Sequence, residues 1–258
     1  VQNPGERPLS SYYLGRRPYG VVHGLMQELV LARQRGLVPD TVLLLEHEAV
    51  ITLGRGGKRE HVLAAAESLE ALGIQVEVSG RGGDVTLHAP GQLVAYPILD
   101  LAPDRQDVRR YVRDLTSVMN DLLAPYDVRG GTASGLIGLW VDAERPHDWP
   151  GEAEAMVPQK IGAIGVRISR WVTSHGFALN LTTDLDLFRL IVPCGISTRG
   201  VTSLERLTGR RLEVRAAAEQ AVGLFSKHFE RAAQPLQDVS ALDESELRGL
   251  VLPRLVQS

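Results

Sequence analysis

Arg81-Gly82-Gly83-Asp84-Val85-Thr86-Leu87-His88-Ala89-Pro90-Gly91-Gln92-Leu93-Val94-Ala95-Tyr96-Pro97 sets a glycine pair, a short strand, a Pro-Gly turn and a second strand in direct succession. A strand over 74–78 precedes it, with Ile74, Val76 and Val78 on one face, and the strand after the turn runs over 93–101. Strands that follow one another without a helix between them break the alternation of a doubly wound parallel sheet. A mixed sheet flanked by helices, an α/β fold of the α+β type, is expected instead. The glycines allow backbone to approach a ligand closely, and His88 at the strand end would aim a titratable ring into the same space. A plain hairpin with a surface histidine accounts for the stretch equally well.

Working outward, residues 1–19 carry Pro4, Pro8 and Pro18 without a sustained period, which predicts an irregular or extended lead-in. Val22, Leu25, Leu29 and Ala32 predict a helix over 20–35. Residues 41–46 form a continuous apolar run typical of a strand buried on both faces, with 49–54 returning as its neighbour. A helix is expected over 61–72. The strongest helix spans 107–123, where Val108, Val112, Leu115, Met119 and Leu122 form one stripe. Strands are expected over 136–141, 161–168 and 172–181, with a polar surface loop over 142–159. A capping-box pattern at Thr202-Ser203-Leu204-Glu205 and a long amphipathic helix over 214–231 follow. The last stretch, 240–258, reads as a short helix and a tail. One catalytic domain over 1–233 with a C-terminal extension over 234–258 is the expected organisation.

The 258 residues are 44% hydrophobic and 23% charged, an ordinary globular composition with ample material for a core. Net charge is −3 and the basic residues are scattered, which disfavours nucleic-acid binding. No run of about 18 apolar residues exists, and the first residues lack the basic and apolar regions of a secretory signal, so a cytoplasmic protein without membrane contact is expected.

Cys194 is the single cysteine. It cannot form an intramolecular disulfide or a multi-cysteine metal site, which leaves a reactive nucleophile or a small buried apolar residue. Gly54-Arg55-Gly56-Gly57-Lys58-Arg59 is not a phosphate loop, because Arg59 stands where a Mg²⁺-binding hydroxyl is required, and no GxGxxG opens a helix. The seven histidines form no i,i+4 pair, and strand alternation turns His47 away from Glu46 and Glu48, so a strand-end polar cluster is expected there rather than a metal site.

Taken together, the stretch 81–97, Lys160-Ile161-Gly162-Ala163-Ile164-Gly165 with Ser174-His175-Gly176-Phe177-Ala178-Leu179-Asn180, and Pro193-Cys194-Gly195 resemble the octanoyltransferase family, the lipoyl(octanoyl) transferases. Residues 44–55 resemble the early strand pair of that family. The resemblance covers about residues 10–230. It implies the biotin/lipoate protein ligase catalytic fold and the transfer of an octanoyl group from octanoyl-acyl carrier protein to a lysine ε-amine of apo lipoyl domains, those of 2-oxoacid dehydrogenase complexes and of the glycine cleavage H protein.

The resemblance further implies that Cys194 is the nucleophile and Lys160 its partner. An ammonium beside the thiol favours thiolate, whereas a neutral amine can take its proton. Arg81, Gly82, Gly83, Asp84, Val85, Thr86, Leu87 and His88, with Ala163, Ile164, Gly165, Gly176, Phe177 and Ala178, match the substrate-binding stretches. Gly162, Ala163 and Gly176 would leave room for eight carbons. No metal or other cofactor is implied, and a monomer is expected. Arg55, Lys58 and Arg59 are candidates to meet the acidic carrier. Glu48 departs from the proline more usual in the family, which touches loop geometry; 142–159 looks like an insertion and the tail after Arg231 exceeds the matched core, which bears on docking surfaces. An ATP-dependent lipoate or biotin ligase of the same fold, needing no cysteine, and a non-catalytic lipoyl-domain or acyl-chain binder are the alternatives.

Overall fold

A computed structural model describes residues 7–102, 104–192 and 200–252. The chain runs β1 (Pro8–Arg17), α1 (Tyr19–Gln34), β2 (Asp40–His47), β3 (Val50–Leu53), α2 (Ala66–Ala71), β4 (Gln75–Val78), β5 (Val85–His88), β6 (Gln92–Ile98) and α3 (Val108–Leu123). It continues with β7 (Gly131–Ala133), β8 (Leu136–Asp142), β9 (Pro158–Ser169), β10 (Val172–Asn180), α4 (Leu204–Thr208), α5 (Val214–Phe229), β11 (Ala232–Ala233), β12 (Gln237–Asp238) and α6 (Glu244–Val251).

Alternation along the central strands decides the layering. In β2, Val42 and Leu44 face one core while Leu43 and Leu45 face another, and β6 divides Leu93 and Ala95 from Val94 and Tyr96 in the same way. A strand apolar at every position is thus buried on both sides. Helices α3 and α5 cover the first face, and α1 and α6 the second. Each leucine so enclosed contributes about 1.5–3 kcal/mol relative to exposure. The resulting sheet has the order β11-β1-β2-β6-β10-β9-β8-β7, with β12 also on β1. Pairings of β1 are parallel and the rest antiparallel, so the sheet is mixed as expected. A second sheet, β4-β3-β5, packs over Leu69, Phe188 and Ile191.

Several local expectations change. Of the two forms expected for the lead-in, residues 8–17 take the extended one, as a ten-residue strand. Pro8 stands at the first strand position, where its missing N–H costs least, and Pro18 closes the strand at the start of α1. β3 does not return beside β2; it crosses to the second sheet and pairs with β4 and β5. The helix over 61–72 shrinks to α2 because tertiary partners claim its first residues: Val62 bridges Ile191, and the N–H groups of Leu63 and Ala64 donate to the Leu190 carbonyl. Ser203, not Thr202, caps α4, accepting from the Arg206 N–H without a reciprocal glutamate. The helix expected over 107–123 begins at Val108, and Asp107 is its cap, accepting from the Arg110 N–H. Residues past 233 return to the fold, β12 on β1 and Leu247 and Val251 of α6 in the core beside α1; the terminal tail 253–258 lies outside the described residues. Among the described residues no helix is long and apolar enough to cross a membrane.

Beneath the sheet edge, Asp40 is 1% exposed and lies 2.7 Å from Arg33, 2.8 Å from Arg231 and 3.4 Å from Arg7. Arg7 and Arg231 also reach Asp104. One carboxylate therefore joins the starts of β1 and β2 to the ends of α1 and α5.

Candidate active site

Lys160 sits on β9 opposite Trp140 of β8, and its side chain is buried at 7% exposure. The amine lies 4.9 Å from the centre of the Trp140 ring. Space for its stem comes from Gly138, whose φ of 132° is open to glycine alone and whose missing Cβ would stand 3.4 Å from Lys160 Cε. The Lys160 backbone is held on both sides: its N–H donates to the Gly200 carbonyl, and its carbonyl accepts from the Thr202 N–H.

Lys160 lies where two cavities meet. The inner slot, of about 50 Å³, is lined by Arg81, Gly83, Asp84, Val85, Thr86, His88, Ala163, Ile164, Gly165, Gly176, Phe177 and Ala178, joined by Tyr19, Tyr96, Ile137 and His175. Past Lys160 it opens into an outer crevice of about 550 Å³, where Gly82 lies. Leu87 is the exception among the expected binding residues, because alternation on β5 turns it into the core of the second sheet at 0% exposure. The glycines play a different part from the one expected. A Cβ on Gly162 would meet Met119 Sδ at 2.6 Å, on the side of α3, and one on Gly176 would meet the Ala95 carbonyl at 2.2 Å. Their smallness lets elements close together rather than leaving space for a chain.

Cys194 lies outside the described residues, between Val192 and Gly200. The Val192 N–H donates to the His61 carbonyl at 2.8 Å, and His61 Nδ1 lies 2.6 Å from Asp84 Oδ2 on the slot wall. Gly200 is the residue that accepts from Lys160.

The far part of the slot is a ring of aromatic and imidazole groups whose protonation the hydrogen bonds dictate. Asn180 donates to the Thr202 carbonyl at 3.0 Å, which leaves its oxygen to accept from Gln92 at 2.8 Å, which in turn leaves the Gln92 oxygen to accept from His88 Nδ1 at 2.7 Å. His88 thus carries its proton on Nδ1. His47 Nδ1 faces the Arg17 carbonyl at 3.0 Å, so its Nε2 accepts from the Tyr96 hydroxyl at 2.9 Å. His175 packs 5.9 Å from Tyr96 and 5.8 Å from His23 and takes the left-handed conformation, φ 55°, in the middle of β10, a strained geometry that costs about 1–3 kcal/mol. Glu46, by contrast, accepts from the Gly91 N–H and anchors the β5–β6 turn, so the 46–48 cluster is structural. Among the described residues no group of three His, Cys, Asp or Glu side chains could hold a metal.

Burial, reinforced for His88 and His175 by neighbouring imidazoles and Arg81, pulls His88 and His175 down to about 3; burial alone pulls His47 to about 4. All three are neutral near pH 7. In the unfolded chain they protonate near 6.5, so that chain binds more protons below this pH and the folded state loses ground. The melting temperature is expected to hold above pH 6.5 and to fall as pH drops from there toward 4, with a slope approaching about three protons. Thermal melts across that range check this; a flat profile contradicts it.

Tyr19, Tyr96, His175 and Trp140 were not assigned roles from sequence, since each reaches the site only through strand pairing or ring stacking between distant segments.

Residues 18–226 match the model of the lipoyl protein ligase A/B catalytic domain. Over 236 residues the chain is 44% identical to an octanoyltransferase of Myxococcus xanthus, covering 90% of this chain and 64% of that protein, a little under two thirds of its length. Over 218 residues it is 46% identical to an octanoyltransferase of Solibacter usitatus, covering 84% and 90%. Over 237 residues it is 43% identical to one of Chloroflexus aurantiacus, covering 92% and 100%. The fold superposes on lipoate-protein ligase A bound with ATP at a TM-score of 0.67 and 14% identity, covering 94% and 92% of the two chains. The chain belongs to the lipoyl protein ligase A/B catalytic domain family. Within it the chain stands with the octanoyltransferases, and it is an acyltransferase.

Proposed function

We propose that this protein transfers an octanoyl group from octanoyl-acyl carrier protein to the ε-amine of a lysine on apo lipoyl domains, through a thioester on Cys194. The observation that carries this is the buried Lys160 amine at the junction of the two cavities, with Gly200, which follows the Cys194 segment, accepting the Lys160 N–H, and Val192, which precedes it, bonded to His61, whose ring reaches Asp84 of the slot. A lipoyl-domain acceptor fits the family, one member of which, a bi-partite lipoate protein ligase from Thermoplasma acidophilum, was solved in a study of a lipoylation system with its E2 lipoyl domain.

In the first half-reaction the Cys194 thiolate attacks the thioester carbonyl; a new C–S bond forms, the donor's C–S bond breaks, and the donor sulfur leaves as a thiol, taking its proton from Lys160. In the second, neutral Lys160 accepts one proton from the incoming ε-ammonium, the freed amine attacks, the C–N bond forms as the C–S bond to Cys194 breaks, the nitrogen's second proton passes to solvent, and the Cys194 thiolate is restored. Thioester exchange is near balance, and the amide draws the cycle forward. Octanoyl methylenes in the slot contribute about 0.8 kcal/mol each when fully buried. Neither a metal nor a nucleotide takes part.

The test is transfer without ATP. Octanoyl-carrier and apo lipoyl domain mixed with the protein should give an acceptor heavier by one octanoyl group, at a rate that added ATP does not change. Transfer of free octanoate that depends on ATP and survives Cys194→Ala would instead assign a ligase.

A further inference from the structure

The outer crevice is larger than the inner slot it opens from, about 550 against 50 Å³, and the two share Lys160, Ile137 and Ile164 among their lining residues. One bank is the first turns of α3, where Val108 and Val112 line the crevice one helical turn apart. The other bank is Gly56, in a loop whose N–H groups at Gly54, Arg55 and Gly56 donate to the carbonyls of Asp84, Arg81 and Gly83. Ile137 lines both the crevice and the slot. Val108 is 45% and Ile137 62% exposed, so apart from Asp84 and Lys160 the crevice has an apolar lining, and among the described residues these two side chains are left largely uncovered.

Charge at the mouth runs against that of the whole molecule. Net charge is −3, yet Arg109 and Arg113, each one position after a lining valine, are exposed and form no ion pair among the described residues, and the same holds for Arg55, next to Gly56 on the opposite bank. The acids nearby have other duties: Asp84, on the crevice wall, pairs with His61 and accepts from the Lys58 N–H, Asp107 caps α3, Asp114 pairs with Arg105, and Glu60 pairs with Lys58.

We infer that the outer crevice seats the arm of the thioester donor, a linear chain of amides and methylenes ending in a phosphate, with the thioester at Lys160 and the phosphate at Arg109 and Arg113. This rests on the octanoyl-transfer function proposed above. The apolar walls bury the methylenes, and the guanidinium groups meet the phosphate with charge-assisted hydrogen bonds. A lysine acceptor has a short aliphatic tether and no phosphate, so it has no use for this bank of arginines.

The experiment compares octanoyl-pantetheine, octanoyl-4′-phosphopantetheine and octanoyl-carrier as donors, on the parent and on the double variant Arg109→Glu/Arg113→Glu, both checked for equal melting temperature. The parent should prefer the phosphorylated donors. The variant should raise KM for them by about tenfold or more while octanoyl-pantetheine is used as before. Equal effects on all three donors, or none, overturn the inference. An effect confined to the intact carrier also overturns it, because the arginines then meet the protein surface, as Arg55→Glu/Arg59→Glu is expected to report. Titration with 4′-phosphopantetheine alone reads the crevice without turnover: binding that the double variant weakens about tenfold supports the site, and ATP binding there with no phosphopantetheine binding overturns it. Phosphopantetheine binding that persists while no donor is used would count against octanoyl transfer and in favour of the site.

Discussion

Replacing Cys194 by alanine is expected to lower octanoyl transfer by about 10³-fold or more while leaving the melting temperature within a few degrees of the parent. The thiolate is the group that forms the covalent bond in the proposed scheme, and no other cysteine can replace it. Lys160→Ala should also slow transfer steeply, for a separate reason. The amine at the slot mouth supplies the proton for the leaving thiol and accepts the one from the incoming ammonium, so both half-reactions suffer. Because Lys160 is held through its backbone by Gly200 and Thr202, alanine preserves the strand while removing the amine. Rate measurements on each half-reaction separate the two residues: the cysteine variant forms no acyl-enzyme, whereas the lysine variant forms one slowly and discharges it slowly. Transfer at parental rate by either variant contradicts the scheme.

The largest effect on stability is expected at Asp40. Its carboxylate is shared by Arg33, Arg231 and Arg7, and Arg231 is 0% exposed. Asp40→Ala would leave these guanidinium groups facing a hole, and breaking a buried ion cluster from one side costs about 3–5 kcal/mol. That is a large share of the roughly 5–15 kcal/mol that keeps a domain folded. Urea unfolding should show the midpoint falling sharply, and Asp40→Leu combined with Arg231→Met should recover much of the loss by replacing charges with apolar contact. A change below about 1 kcal/mol in the single variant would show that Asp104 and Asp100 hold the arginines without it.

Where the sequence carried a periodic signal, the fold was legible. The unbroken apolar run of β2 foretold burial on both faces, and the stripe from Val108 to Leu122 foretold α3. Where long-range partners override local preference, it was not. Nothing in 61–64 reports that Ile191 and Leu190 will claim that backbone, and three prolines hid β1 although two of them mark its ends. The β9–β10 hairpin turns on Arg170 and Trp171, both at positive φ, with no asparagine or glycine to announce it.

The candidate site divides along the same line. The 81–88 stretch carries its lining locally, except for Leu87, which alternation removes. Tyr19, Tyr96 and His175 meet His88 and His47 only once β5, β6, β10 and α1 are assembled. The expectation for Gly162 and Gly176 took small residues for an open cavity, whereas packing uses them to bring strand and helix together.

The central claim is a covalent one, and the intact mass of the protein after brief exposure to octanoyl-carrier tests it most directly. The scheme predicts a gain of one octanoyl group, mapped by fragmentation to the peptide bearing Cys194 and discharged on addition of apo lipoyl domain. An unmodified protein that still transfers octanoate, or an adduct on any other residue, would contradict it.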